Sequence, residues 1–436
     1  MTPSLIGIIG ILTLVLLILL RLPVALAMFV TGFVGVTALS GLAAAKSLLA
    51  SEVFAIASRF DLIVIPLFIL MGNLAAASGV SRRLYDAAFA LVGARRGGLA
   101  QATLLGCGAF SALCGSSLAS ALTMGKVSLS EMERYNYAPR LATATVAAGG
   151  TLGILIPPST GLMLYAILTE QSIGRLFLAG FLPGLMLLLL FMAAVAFLTW
   201  RSPDLAPIVE PMSALERRRS VIAALPGATV ILLTIGGLYG GIFSPVESAS
   251  VGAGLIAILG TAHGNLGVRS LWRSAQATVR TSASIMLILI GAHLFNPFMA
   301  LSHIPQDLGV ALASSALPAG MILGLIILTY LLLGMVMDGL AMLVLTLPVF
   351  FPIIIALGYD PIWFGILAMV VLEMGLLSPP VGMNAIIVHS IVPHVPQATI
   401  YRGILPFWVA MLVGIVLICT LPAIATLLPN LIMGAS

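Results

Sequence analysis

Residues 110–161 read FSALCGSSLASALTMGKVSLSEMERYNYAPRLATATVAAGGTLGILIPPSTG, and residues 332–383 read LLGMVMDGLAMLVLTLPVFFPIIIALGYDPIWFGILAMVVLEMGLLSPPVGM. At a fixed shift of 222 positions, with no gap, Tyr137 falls on Tyr359, Pro139 on Pro361, Gly153 on Gly375, and Pro157-Pro158 on Pro379-Pro380. Each copy carries two backbone breaks inside otherwise apolar sequence: one near Gly115-Ser116-Ser117 or Asp338-Gly339, the other at the double proline. Paired broken helices at matching positions of two halves point to the binding site of a secondary transporter.

Working outward, the whole chain is 61% hydrophobic and 8% charged, with a mean hydropathy of +1.21. A soluble domain carries about 25% charged residues. The chain is therefore predicted to be an all-α polytopic membrane protein. Apolar runs at 5–20, 185–198 and 411–428 approach the roughly 20 residues a spanning helix needs, and they lack the alternation of a membrane barrel. The first run has no basic n-region and no small-residue cleavage site before Arg21-Leu22-Pro23, so it reads as a retained helix, not a signal peptide. Cys107, Cys114 and Cys419 are scattered in apolar sequence and support neither a disulfide framework nor a zinc site. The five histidines show no metal-ligand spacing, and no P-loop sequence is present. The basic residues are dispersed between apolar runs, which fits membrane topology and not nucleic-acid binding.

The duplication extends beyond the quoted stretches. Pro23-Val24 falls on Pro245-Val246 at the same shift, and Gly180-x-x-Pro183 falls on Gly403-x-x-Pro406 at one residue more. The reading is a first transmembrane repeat over 1–200, with a re-entrant hairpin at about 99–128 and a proline-broken helix at about 141–166. A cytoplasmic linker at 201–220 follows. The second repeat covers 221–436, with a hairpin at about 319–350 and a broken helix at about 362–388. Loops at equivalent positions have opposite charge character: Arg82, Arg83, Arg95 and Arg96 correspond to an arginine-free loop at 304–318. Two repeats of inverted topology would show this pattern. With both termini outside, sixteen of the nineteen Lys and Arg face the cytoplasm, leaving Lys46, Arg59 and Arg175.

Non-helical backbone at membrane depth needs protein or a water-filled cavity to satisfy its polar groups. The first half supplies Gly115, Ser116 and Ser117 at one break, and Gly153, Pro157, Pro158 and Ser159 at the other. The second half supplies Asp338 and Gly339, then Gly375, Ser378, Pro379, Pro380, Gly382 and Asn384. Carbonyl ends of half-helices coordinate cations such as Na+, and N-terminal ends face anions, so these residues are the candidate substrate and ion site. Three carboxylates lie in apolar surroundings. Asp338 reads either as the tuner of a cation site or as a hairpin cap. Glu247 reads as an intramembrane acid or a helix-start anchor, and Glu373 as part of a site or of a structural pair.

At these residues the chain resembles the large membrane subunit of tripartite ATP-independent periplasmic (TRAP) transporters, the DctM family. The resemblance runs through 65–73 (IPLFILMGN), Gly97-Gly98-Leu99, 115–117, 150–159 (GTLGILIPPS), 178–184 and 379–382. It departs at 240–247 (GGIFSPVE), where Ser244 and Val246 replace threonines of the family motif. The resemblance implies an elevator-type, usually Na+-coupled importer of organic anions, commonly carboxylates, that catalyses no reaction and needs no cofactor beyond the coupling ion. It also implies two partners: a small four-helix membrane subunit (DctQ-like) and a periplasmic substrate-binding protein (DctP-like). The location is the bacterial inner membrane. A stand-alone Na+/dicarboxylate-type symporter shares the same hairpin-and-break logic. An intramembrane aspartyl protease built on Asp338 and Asp360 is disfavoured, because the two acids fall at opposite ends of one hairpin arm.

Overall fold

The computed structural model describes residues 2–210, 212–307 and 317–434. Much of the arginine-free loop at 304–318, on which the charge comparison drew, lies outside the described residues, as does Pro211 of the linker. The described residues are α-helical apart from turns and two short 3-10 segments. Among the described residues, eight helices are long and apolar enough to cross a membrane, including Ile173–Arg201, Ala214–Tyr239 and Gln397–Thr420. The longest, Val268–Leu301, has 34 residues and measures about 51 Å at 1.5 Å per residue.

The helices pack into two bodies. The first, the scaffold, joins Pro3–Leu19, Val24–Ser40, Leu42–Ser58 and Val64–Ala77 from the first half to Ala214–Tyr239, Pro245–Ala262 and Val268–Leu301 from the second. Small residues set its closest approach: a Cβ at Gly32 would lie 2.6 Å from the Leu294 carbonyl carbon, and one at Gly291 would lie 2.5 Å from the Ala25 carbonyl oxygen. Membrane helices gain contact in this way because lipid offers no hydrophobic drive toward association.

The second body holds both hairpins and both broken helices. Its first hairpin is Gly98–Cys114 and Ser117–Arg134; its second is Ala319–Gly334 and Gly339–Ala356. The broken helices are Pro139–Leu155 with Thr160–Thr169, and Pro361–Leu377 with Met383–Ile391. The return arms and the first parts of the broken helices begin and end 222 residues apart. Thr160 and Met383 are 223 apart, so the one-residue change in shift falls inside the second break. There Gly382 adopts a left-handed backbone, φ +54°, which glycine takes up without steric cost.

The second part of each broken helix packs against the other half's hairpin. Met383–Ile391 lies on the first hairpin's return arm, where a Cβ at Gly125 would meet Ile391 Cδ1 at 2.7 Å. Thr160–Thr169 lies on the second hairpin's return arm, with the Tyr165 and Phe351 rings edge to face at 6.2 Å. The two halves are thereby interlocked. The bodies touch where Val64–Ala77 meets Gly98–Cys114, and a Cβ at Gly72 would lie 2.9 Å from the Cys114 carbonyl oxygen.

Candidate transport site

The first hairpin turns at Gly115, which is left-handed (φ +65°) and caps the entry arm by donating its N–H to the Ser111 carbonyl. Ser116 is extended, and its hydroxyl accepts the Ala119 N–H, starting the return arm. This tip rests on the first break. Thr160 donates its N–H (3.0 Å) and its hydroxyl (2.8 Å) to the Gly115 carbonyl. A Cβ at Gly115 would stand 2.6 Å from the Pro158 carbonyl oxygen, and one at Gly153 would stand 2.7 Å from that of Ser116. Ser159 caps Thr160–Thr169 by accepting the Leu162 N–H at 3.1 Å, while its own hydroxyl donates to the Ile154 carbonyl. The structure thus brings Gly115, Ser116, Gly153, Pro158 and Ser159 together.

The second half repeats the plan with a looser junction. Asp338 begins the return arm, accepting the N–H groups of Leu340 (3.2 Å) and Ala341 (3.4 Å). It is half-buried and serves as a hairpin cap. Gly375 approaches the entry arm, where its Cβ would lie 2.7 Å from the Gly334 Cα, and Gly339 packs on Leu372. Ser378 donates its hydroxyl to the Met374 carbonyl (2.7 Å) and accepts from Trp408 Nε1 (2.9 Å). Tyr401 Oη donates to the Val381 carbonyl at 2.7 Å. Pro157 and Pro158 are buried, but Pro379 and Pro380 are exposed. Among the described residues, no hydrogen bond joins the second tip to Met383 in the way that Thr160 binds Gly115.

Glu373 lies in the first part of the second broken helix. This carboxylate is fully buried (0% exposed); Asn384, also 0% exposed, donates to it from Nδ2 at 3.5 Å. Glu247 stands elsewhere, as the N3 residue of a capping box: Ser244 donates its N–H to the Glu247 carboxylate at 2.8 Å, and the Ser244 hydroxyl accepts the Glu247 N–H at 3.3 Å. The serine that departs from the family motif thus caps a helix. Asp360, invoked in the protease reading, caps Pro361–Leu377 by accepting the Trp363 N–H at 2.7 Å.

Thr160, Tyr401 and Trp408 were not singled out from sequence. Thr160 directly follows the quoted proline motif and was within reach of that reading. Tyr401 and Trp408 come from the next helix, and no local pattern marks them. Away from these tips and breaks, a cleft of about 700 Å3 is lined by Arg59, Phe60 and Asp61 of the scaffold and by Glu170, Gln171 and Ser172, past the C-terminal end of Thr160–Thr169.

Hairpins and broken helices that converge at a site within a multi-pass helical protein define a membrane transporter permease. The description "Tripartite ATP-independent periplasmic transporter, DctM component" matches residues 11–424, and the chain belongs to this family of TRAP large permease subunits. It is 35% identical to the large permease protein DctM of a C4-dicarboxylate TRAP transporter from Pseudomonas aeruginosa, over 88% of this chain and 89% of that one. It is 32% identical to the isethionate TRAP transporter permease protein DctMQ of Oleidesulfovibrio alaskensis, over 89% of this chain and 62% of that longer one. In fold it resembles the Alcanivorax borkumensis YdaH transporter, described as having an unusual topology, with a TM-score of 0.63 and 17% identity over 90% of this chain and 89% of that one. The family is one of transporter permeases, not enzymes.

Proposed function

We propose that the chain imports an organic anion, a carboxylate by preference, across the bacterial inner membrane on an inward Na+ gradient. The hairpin body moves against the scaffold in an elevator cycle, and both termini face the periplasm. The observation that carries this reading is the convergence of two hairpin tips and two broken helices within one interlocked body. N–H groups at helix starts favour anions, and carbonyl groups at helix ends favour cations. In this reading the tip residues Gly115, Ser116, Ser117, Asp338 and Gly339 enclose substrate and Na+. The break residues Gly153, Pro157, Pro158, Ser159, Gly375, Ser378, Pro379, Pro380, Gly382 and Asn384 complete the enclosure.

A small four-helix subunit and a periplasmic binding protein complete the system. The relatives support an organic anion, since one is named for C4-dicarboxylates and another for isethionate, a sulfonate. Gentle purification from native membranes is expected to bring down the small subunit in equal amount. Uptake of labelled succinate or isethionate into vesicles should then require both subunits, the binding protein and external Na+. A chain that purifies alone and takes up either anion unaided overturns the tripartite assignment.

A further inference from the structure

The scaffold's longest helix, Val268–Leu301, opens with a charged stripe that the transport site does not use. Arg269, Arg273, Gln276 and Arg280 are exposed, and their spacings of four, three and four residues place them on one helix face. Trp272 (65% exposed) and Val279 (68%) flank the stripe. The opposite face, with Ser274, Thr278 and Ile285, is buried, and Asn73 Nδ2 donates to the Thr278 hydroxyl at 2.9 Å. A groove along the exposed face is lined by this helix alone.

The positive charge here is uncompensated. None of the three guanidinium groups forms an ion pair among the described residues, and the sequence holds no Asp or Glu from 248 to 306. The helix has neither an acidic residue in its first turn nor a side-chain cap, so its positive end adds to the arginines. At the shift of 222 the arginines fall on Ser47, Ser51 and Ser58, so the repeat itself does not call for them.

The bilayer supplies the counter-charge. Residues 281–301 hold no Lys, Arg, Asp or Glu and measure about 31 Å at 1.5 Å per residue, against a hydrocarbon core of about 30 Å. Residues 268–280 then run about 20 Å beyond the core, through the headgroup layer. An exposed Trp beside arginines suits that depth. We propose that the stripe binds anionic phospholipid, with Arg273 and Arg280 on the headgroup phosphates and Trp272 and Val279 beside the upper acyl chain. A guanidinium offers phosphate two parallel hydrogen bonds, and the surplus of positive charge selects headgroups of net negative charge over zwitterionic ones. The site is independent of which solute or ion is transported.

The test reads Trp272 fluorescence in the full-length protein, purified with its membrane partner and placed in phosphatidylcholine nanodiscs. Brominated phosphatidylglycerol or brominated phosphatidylcholine is added at the same minor fraction as quencher, and the Trp272 signal is the difference between wild type and Trp272→Phe. Brominated phosphatidylglycerol is expected to quench Trp272 more strongly. Arg273→Gln and Arg280→Gln should each lower its enrichment about fivefold, the effect of one basic residue at an anionic surface, and raised salt should act in the same direction. Equal quenching by the two lipids overturns the proposal, and so does an excess that survives both arginine substitutions. A Trp272 that neither lipid reaches overturns it by placing the partner subunit over the stripe. An excess that inorganic phosphate abolishes at constant ionic strength overturns it in favour of the free ion. The wild-type comparison stands even where an arginine variant fails to fold.

Discussion

Tyr165 Oη donates a 2.6 Å hydrogen bond to the carbonyl of Pro361, the first residue of the second broken helix. One side chain thus ties the second part of one broken helix to the start of the other. Tyr165→Phe keeps the ring packing and removes the bond, which is worth about 1 kcal/mol. A drop of a few degrees in melting temperature is expected, with folding intact. Tyr165→Ala also opens a buried void and should cost about 3–5 kcal/mol, as large aromatic truncations do; poor recovery from the membrane would show this.

Gly115→Ala places a side chain on a left-handed backbone, at about 1–2 kcal/mol, and drives its Cβ toward the Pro158 carbonyl. Loss of uptake is expected even where protein is recovered, because the tip must leave the first break. Gly254→Ala is the matched control: a Cβ there meets nothing within 4 Å, and removing a helix-interior glycine stabilises by up to about 1 kcal/mol. Equal effects of the two substitutions would refute the close-approach account of the tip.

Gly32→Val tests the scaffold separately. The added atoms collide with the backbone at Leu294, so the variant should melt several degrees lower, with overpacking costing about 1–3 kcal/mol. Wild-type stability here would mean that Val24–Ser40 and Val268–Leu301 stand further apart than described.

Asp360→Ala removes a helix cap and should cost about 0.5–2 kcal/mol. Transport per folded molecule should persist. Abolished turnover in a well-folded variant would assign Asp360 a role that its capping geometry does not contain.

Much of this architecture is legible in the sequence, because prolines and glycines act on their own backbone. The double prolines mark both breaks, Gly115 marks the first tip, and the step from a shift of 222 to 223 between Pro380 and Gly403 announces an inserted residue, found at the second break. The exchange of half-helices is not legible: Ile391 meets Gly125 across 266 positions, and apolar residues of this kind carry no address for their partners. Nor did the pattern distinguish a buried first break from an exposed second one, since both read Pro-Pro. For Glu373 the sequence left two roles open.

The exchanged half-helices also set a timetable for making the protein. The first hairpin is complete at Arg134, yet the helix that covers it begins at Met383. Roughly 250 residues intervene, which at ordinary rates of synthesis is on the order of 10–50 s. Throughout that interval the flank around Gly125 is inserted but uncovered, exposed to lipid and to any other nascent chain nearby. A ribosome that stalls before Ile391 therefore leaves behind a half-protein that cannot close upon itself, and the cell must hold it or destroy it.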